Sequence, residues 1–100
     1  MNREKLKLYF ELKSKIENRI SEIFNYVNIN NIDKEKHIFG SLLSFELEGD
    51  IVYVKTIESL RRGGAIYHTN SLPIELITSD NWLDILKEKV EQENQDFLNK

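Results

Sequence analysis

The stretch Leu43-Ser44-Phe45-Glu46-Leu47-Glu48-Gly49-Asp50-Ile51-Val52-Tyr53-Val54 decides the fold. Leu43, Phe45 and Leu47 alternate with Ser44, Glu46 and Glu48, the period of a half-buried strand. Gly49-Asp50 then reads as a two-residue hairpin turn, since glycine takes the positive φ of the first central position. With that turn Leu47 faces Val52, Phe45 faces Val54 and Leu43 faces Thr56. One face is then apolar in both strands, so the register is self-consistent. The other face pairs Glu48 with Ile51, Glu46 with Tyr53, Ser44 with Lys55 and Leu42 with Ile57.

Outward from the hairpin, the second strand runs to about Ser59, and Arg61-Arg62-Gly63-Gly64 makes the next turn. A third strand, Ala65 to Leu72, returns antiparallel. Pro73 lacks the N–H a ladder needs and closes that strand. Residues 73–77 form a helical turn or an extended end. Before the hairpin, Tyr9, Leu12, Ile16, Ile20, Ile23 and Val27 recur every three or four residues, which predicts a helix over 3–27. Phe10 lies about 120° from Ile16 at ~100° per residue, outside that stripe. Asn28-Ile29-Asn30-Asn31 ends the helix, and Lys34-Glu35-Lys36 is a solvated connector. After the third strand, Ser79-Asp80-Asn81 marks a helix start with acid in the first turn. Trp82, Leu83, Leu86, Val90 and Phe97 share one face, predicting a helix from Asp80 to about Leu98.

The order α-β-β-β-α defines an α+β fold: a three-stranded antiparallel meander with two helices packed on one face. A meander cannot bury its apolar face alone, and two amphipathic helices cover it. Residues 1–100 make one domain, with neither a linker nor a repeat. The opposite sheet face stays open. It carries Glu46, Tyr53, Lys55, Ile57 and, on the third strand, His68. One extra residue in the turn exchanges His68 for Tyr67 on that face.

Composition narrows the chemistry. The chain has 14 basic and 17 acidic residues, a formal net charge of −3 and no cysteine. The acidic balance argues against non-specific nucleic-acid or membrane binding. The missing cysteines exclude disulfides, thiol nucleophiles and thiolate zinc sites. Charge is mildly polarised, at +2 over residues 1–36, −2 over 37–78 and −3 over 79–100. The opening residues are charged throughout and carry no signal-type apolar core, so a cytoplasmic protein with no membrane contact is expected. Ile, Asn and Lys together make up 32 residues, a bias of AT-rich genomes.

His37 and His68 are the only histidines, too far apart in sequence for a helical metal motif, and no cofactor is expected. None of the seven serines lies in Gly-x-Ser-x-Gly. Gly63-Gly64 precedes a strand, not a phosphate-binding helix. The pairs Glu46/Glu48 and Asp80/Asp84 read as a solvated strand face and a helix start. The element order matches the double-stranded RNA-binding domain. However, the second helix opens Ser79-Asp80-Asn81-Trp82-Leu83-Asp84, with acid where that domain meets phosphate.

What remains is surface. Tyr53, Lys55, Ile57, Arg61, Arg62 and His68 are the candidate partner-binding residues. Aromatic groups and arginine are the usual anchors of protein interfaces. A second copy of the chain is the alternative occupant, and the helix surface around Phe10 is the alternative site.

Residues 63–77, Gly63-Gly64-Ala65-Ile66-Tyr67-His68-Thr69-Asn70-Ser71-Leu72-Pro73-Ile74-Glu75-Leu76-Ile77, are followed closely by Ser79-Asp80-Asn81-Trp82-Leu83. This pattern resembles small phage and prophage accessory proteins, some of them anti-CRISPR-like counter-defence inhibitors. The resemblance covers about a quarter of the chain and carries over no catalytic residue. It implies a non-enzymatic, stoichiometric inhibitor from a phage or mobile element, acting in the host cytoplasm. The partner it implies is a host defence nuclease or effector, alone or with its bound nucleic acid. An immunity or antitoxin protein that neutralises a toxin is the first alternative. A small nuclease or nucleotide hydrolase using Glu46, Asp50 and His68 is the second.

Overall fold

The computed structural model describes residues 2–100. Its elements are α1 (Arg3–Asn30), a short 3₁₀ turn (Lys34–Lys36), β1 (Ser41–Glu48), β2 (Ile51–Ser59), β3 (Ala65–Pro73), α2 (Glu75–Thr78) and α3 (Trp82–Leu98). The strands form an antiparallel sheet in the order β1-β2-β3. This is the expected α+β meander, with a third, four-residue helix where a helical turn or an extended end was expected.

The apolar period of α1 becomes core only along its second half. Ile20, Ile23 and Phe24 are buried against Val52 and Val54 of β2, Leu72 of β3, Leu76 of α2, and Leu86 and Val90 of α3. Full burial of such side chains stabilises by about 1.5–3 kcal/mol each. All three helices therefore sit on the Val52/Val54 face of the sheet. Thr56 continues that face, fully buried, and its hydroxyl donates to the Phe39 carbonyl at 2.7 Å. Tyr9 and Leu12, placed in the same stripe by period, are exposed instead. Helical period identifies a face, but it does not say how far the sheet beneath extends.

The hairpin register holds from Ser44 to Glu48: Phe45 pairs with Val54, Glu46 with Tyr53 and Leu47 with Val52. Before Ser44 it shifts. A bulge between Leu42 and Ser44 pairs Leu42 with Thr56 and Ser41 with Ile57. Leu42 thereby takes the half-buried position expected for Leu43, and Leu43 is exposed. An extra residue in one strand exchanges the faces of everything before it.

Side-chain hydrogen bonds fix the helix ends. The Asn2 carboxamide oxygen accepts from the backbone N–H of Glu4 and Lys5 at 2.7 and 3.1 Å. Near the other end, Asn28 clasps Ile38, accepting from its N–H at 2.7 Å and donating to its carbonyl at 2.9 Å. Asn94 of α3 donates to the Asn30 carbonyl and accepts from the Ile32 N–H. Arg19 reaches out of α1 to the carbonyls of Leu76, Ile77 and Ser79 at 3.1–3.2 Å, and its guanidinium lies 4.9 Å from the Trp82 ring centroid. At Gly40, just before β1, φ is +92° and a Cβ would stand 2.6 Å from the Ile57 carbonyl oxygen.

Candidate functional site

Because every helix packs on one side, no helix among the described residues covers the second face of the sheet. On β2 this face presents Ile51, Tyr53, Lys55 and Ile57. The pairing of β2 with β3 sets Ser71 opposite Tyr53, Thr69 opposite Lys55 and Tyr67 opposite Ile57. On β1, Glu46 lies across from Tyr53 and Ser44 from Lys55. Tyr53 and Ile57 are half-buried by their neighbours, while Tyr67 is 66% exposed. Tyr53 and Ile57, four residues apart at ~3.3 Å rise, are separated by about 13 Å. Lys55, flanked by Ser44 and Thr69, lies between Tyr53 and the Ile57–Tyr67 pair on this face.

Arg61 and Arg62 stand at the β2–β3 tip, both exposed. The tip is closed by the Gly63 N–H donating to the Leu60 carbonyl at 3.1 Å, and by the Leu60 N–H donating to the Gly64 carbonyl at 3.2 Å. Gly63 and Gly64 both have positive φ, which two consecutive non-glycine residues rarely share. Among the described residues the lysine and arginine side chains form one ion pair, Lys13–Glu17, so neither arginine of the tip is engaged in one.

His68 is not part of this surface. It pairs with Thr56, which places it on the helix side of the sheet. There its Nε2 lies 3.0 Å from a Glu58 carboxylate oxygen, and its ring centroid is 6.3 Å from that of Phe39. The five residues Leu60–Gly64 set Ser59 opposite Ala65, and that parity sends odd-numbered residues of β3 to the open face. Tyr67 takes the place expected for His68. The only signal for it in the sequence is alternation, and Ile66-Tyr67 is apolar at both positions.

Five of the six expected residues, Tyr53, Lys55, Ile57, Arg61 and Arg62, thus share the open face and its tip, joined by Tyr67. The set Glu46, Asp50 and His68 does not converge. Glu46 is on the open face, His68 is on the other, and Asp50 is in the turn at the far end. Among the described residues no three His, Asp or Glu side chains gather in a way that could hold a metal ion. No helix among them is long and apolar enough to cross a membrane. A separate cleft of about 420 Å³ separates the end of α1 from the β3 edge and α3. Its charged lining residues are Lys36, Lys89 and Glu93.

No family model matches the chain, and neither the curated proteins nor the solved structures contain a match to it.

Proposed function

We propose that the protein works by stoichiometric binding of another protein through the open sheet face, as an inhibitor of a host defence nuclease or effector encoded by a phage or mobile element. The observation that carries the binding reading is the helix-free sheet face with half-buried Tyr53 and Ile57 and the exposed Tyr67, bordered at one end by Arg61 and Arg62. Aromatic side chains bury a large area at little entropic cost, and arginine supplies charge-assisted contacts at the rim. Such a face suits a protein with an apolar contact flanked by carboxylates. The arginines act mainly on the encounter rate. The identity of the target class rests on the resemblance of residues 63–83 to counter-defence proteins.

The test is titration of a purified defence nuclease with the protein. Inhibition should reach completion at one equivalent, with a complex that co-elutes on size exclusion. Tyr67→Ala should weaken the complex by about 2 kcal/mol or more, roughly thirtyfold. Arg61→Glu with Arg62→Glu should slow association. If Tyr53→Ala, Tyr67→Ala and the double arginine variant stay folded and inhibit like the parent, the face is not the binding surface. Turnover of nucleic acid or nucleotide by catalytic amounts of the protein alone would overturn the inhibitor reading altogether.

A further inference from the structure

The two edges of the sheet are not alike. β1 is bulged between Leu42 and Ser44 and carries Glu46 and Glu48, devices that keep an edge strand from pairing with another chain. β3 has neither. Its nine residues pair with β2 without a shift of register, and none of them is lysine, arginine, aspartate or glutamate.

The ladder decides which backbone groups β3 leaves free. At its two ends the Leu60 N–H donates to the Gly64 carbonyl at 3.2 Å, and the Ile74 N–H donates to the Asp50 carbonyl at 2.8 Å. Bonded and non-bonded pairs alternate in an antiparallel ladder, so the even-numbered residues of β3 bond to β2. Ala65, Tyr67, Thr69 and Ser71 therefore turn their N–H and C=O groups outward, and Pro73 turns out its carbonyl alone.

The even-numbered side chains lie on the helix side. Near the arginine tip, Ile66 is 43% exposed there. Toward the other end Leu72 borders the cleft of about 420 Å³, whose apolar wall continues through Leu76, Leu86 and Val90. A bare isoleucine and an apolar cleft thus share one side of one strand, three residues to either side of Thr69.

We propose that β3 pairs antiparallel with β3 of a second copy, about a two-fold axis through Thr69, to make a continuous six-stranded sheet. Pairing over the full strand sets Thr69 opposite Thr69, Tyr67 opposite Ser71 and Ile66 opposite Leu72 of the other copy. The outward groups then exchange about eight backbone hydrogen bonds, and the ladder stops at Pro73, which has no N–H to give. The axis stands perpendicular to the sheet, so both helix layers stay on one side and each Ile66 enters the other copy's cleft. The contact is isologous, Thr69 makes a favourable cross-strand pair with its own copy, and no like charges meet. A foreign strand would satisfy the same backbone groups, but the isoleucine and the cleft that receives it are both supplied by this chain. The proposal is independent of the inhibitor reading.

Light scattering coupled to size exclusion should give twice the 11.8 kDa of one chain, with monomer appearing on dilution. Ile66→Glu brings a carboxylate to the apolar cleft, and Thr69→Pro removes the central N–H. Each should raise the dissociation constant at least tenfold. Residues 66 and 69 are exposed, and the Thr69 N–H faces away from β2, so both variants should keep the parental circular dichroism. The chain has no cysteine, so single introduced thiols report the register. Thr69→Cys protein should form a disulfide-linked dimer under mild oxidation, because paired Cα atoms there are about 5.5 Å apart. Ser71→Cys protein should not, because two copies of residue 71 are offset by four residues, about 13 Å along the strands. A parent that is monomeric at every concentration overturns the proposal. So do Ile66→Glu and Thr69→Pro variants that dimerise like the parent, or Ser71→Cys protein that cross-links as readily as Thr69→Cys.

Discussion

At the scale of single residues, Gly40 and Gly63 separate two costs that glycine avoids. Both have φ near +90°. Only Gly40 is also hemmed in, since its absent Cβ would meet the Ile57 carbonyl, whereas nothing lies within 4 Å of the Cβ position at Gly63. Gly63→Ala should lose only the dihedral preference, about 1–2 kcal/mol. Gly40→Ala adds a backbone clash that no rotamer relieves, so its loss should exceed that of Gly63→Ala by about 1 kcal/mol or more. Urea denaturation of the two variants measures the difference directly, and equal losses would show that the β1 start gives way without cost. The same close approach lies beside Leu43, which strand alternation alone puts on the core face. The chain is pinned against β2 at Gly40, two residues before the bulge, by a contact that strand alternation does not encode.

Among elements, the legible ones were those whose own residues set their geometry. The β1–β2 register from Ser44 to Glu48 follows from alternation plus a two-residue turn. The β3 register does not, because a five-residue turn with two consecutive glycines permits either parity. Helix α2 is legible only as a helical turn or an extended end, for another reason. Four residues cannot sustain a helix by themselves, and its last carbonyls have no partner within it. Arg19, 57 residues before Leu76, supplies one by donating to three carbonyls at the end of α2 while stacking on Trp82. No local pattern announces such a contact. Arg19→Ala should destabilise the fold by about 2–3 kcal/mol, a shift of several degrees in Tm for a domain of this size. Arg19→Lys should recover less than half of that, because the carbonyls are all reached by the one Nη1 while the planar guanidinium covers Trp82, and an ammonium has no plane to stack. Full recovery by lysine would mean that charge alone holds α2.

For the molecule as a whole, the radius of gyration is 15.6 Å, against about 13 Å for a compact chain of 100 residues. The excess belongs to α1, a 28-residue helix of about 42 Å laid across a small sheet. The stripe Tyr9 to Val27 is legible from its period, but period alone does not say how much of it is covered. The body is large enough to bury only Ile20 to Phe24 fully. Half-burial of Phe45 has the same origin, since it sits where the chain's own helices stop covering the sheet. The meander also sends its two turns to opposite ends, one acidic (Glu48, Asp50) and one basic (Arg61, Arg62). The open face therefore carries opposite charge at its two ends, which bears on the direction in which a partner approaches.

The Asn28–Ile38 clasp bears on the order of events as the chain folds. A loop of ten residues closes in about 10–100 ns, whereas Arg19 and Leu76 of α2 are 57 positions apart. The joint between helix and sheet can therefore form in the folding transition state, with the meander condensing onto it afterwards. Asn28→Ala should slow refolding by most of its equilibrium effect and leave the unfolding rate nearly unchanged, a φ-value near 1. Arg19→Ala should do the reverse and chiefly accelerate unfolding. Stopped-flow chevrons of the two variants distinguish a chain that folds outward from this joint from one that assembles everywhere at once.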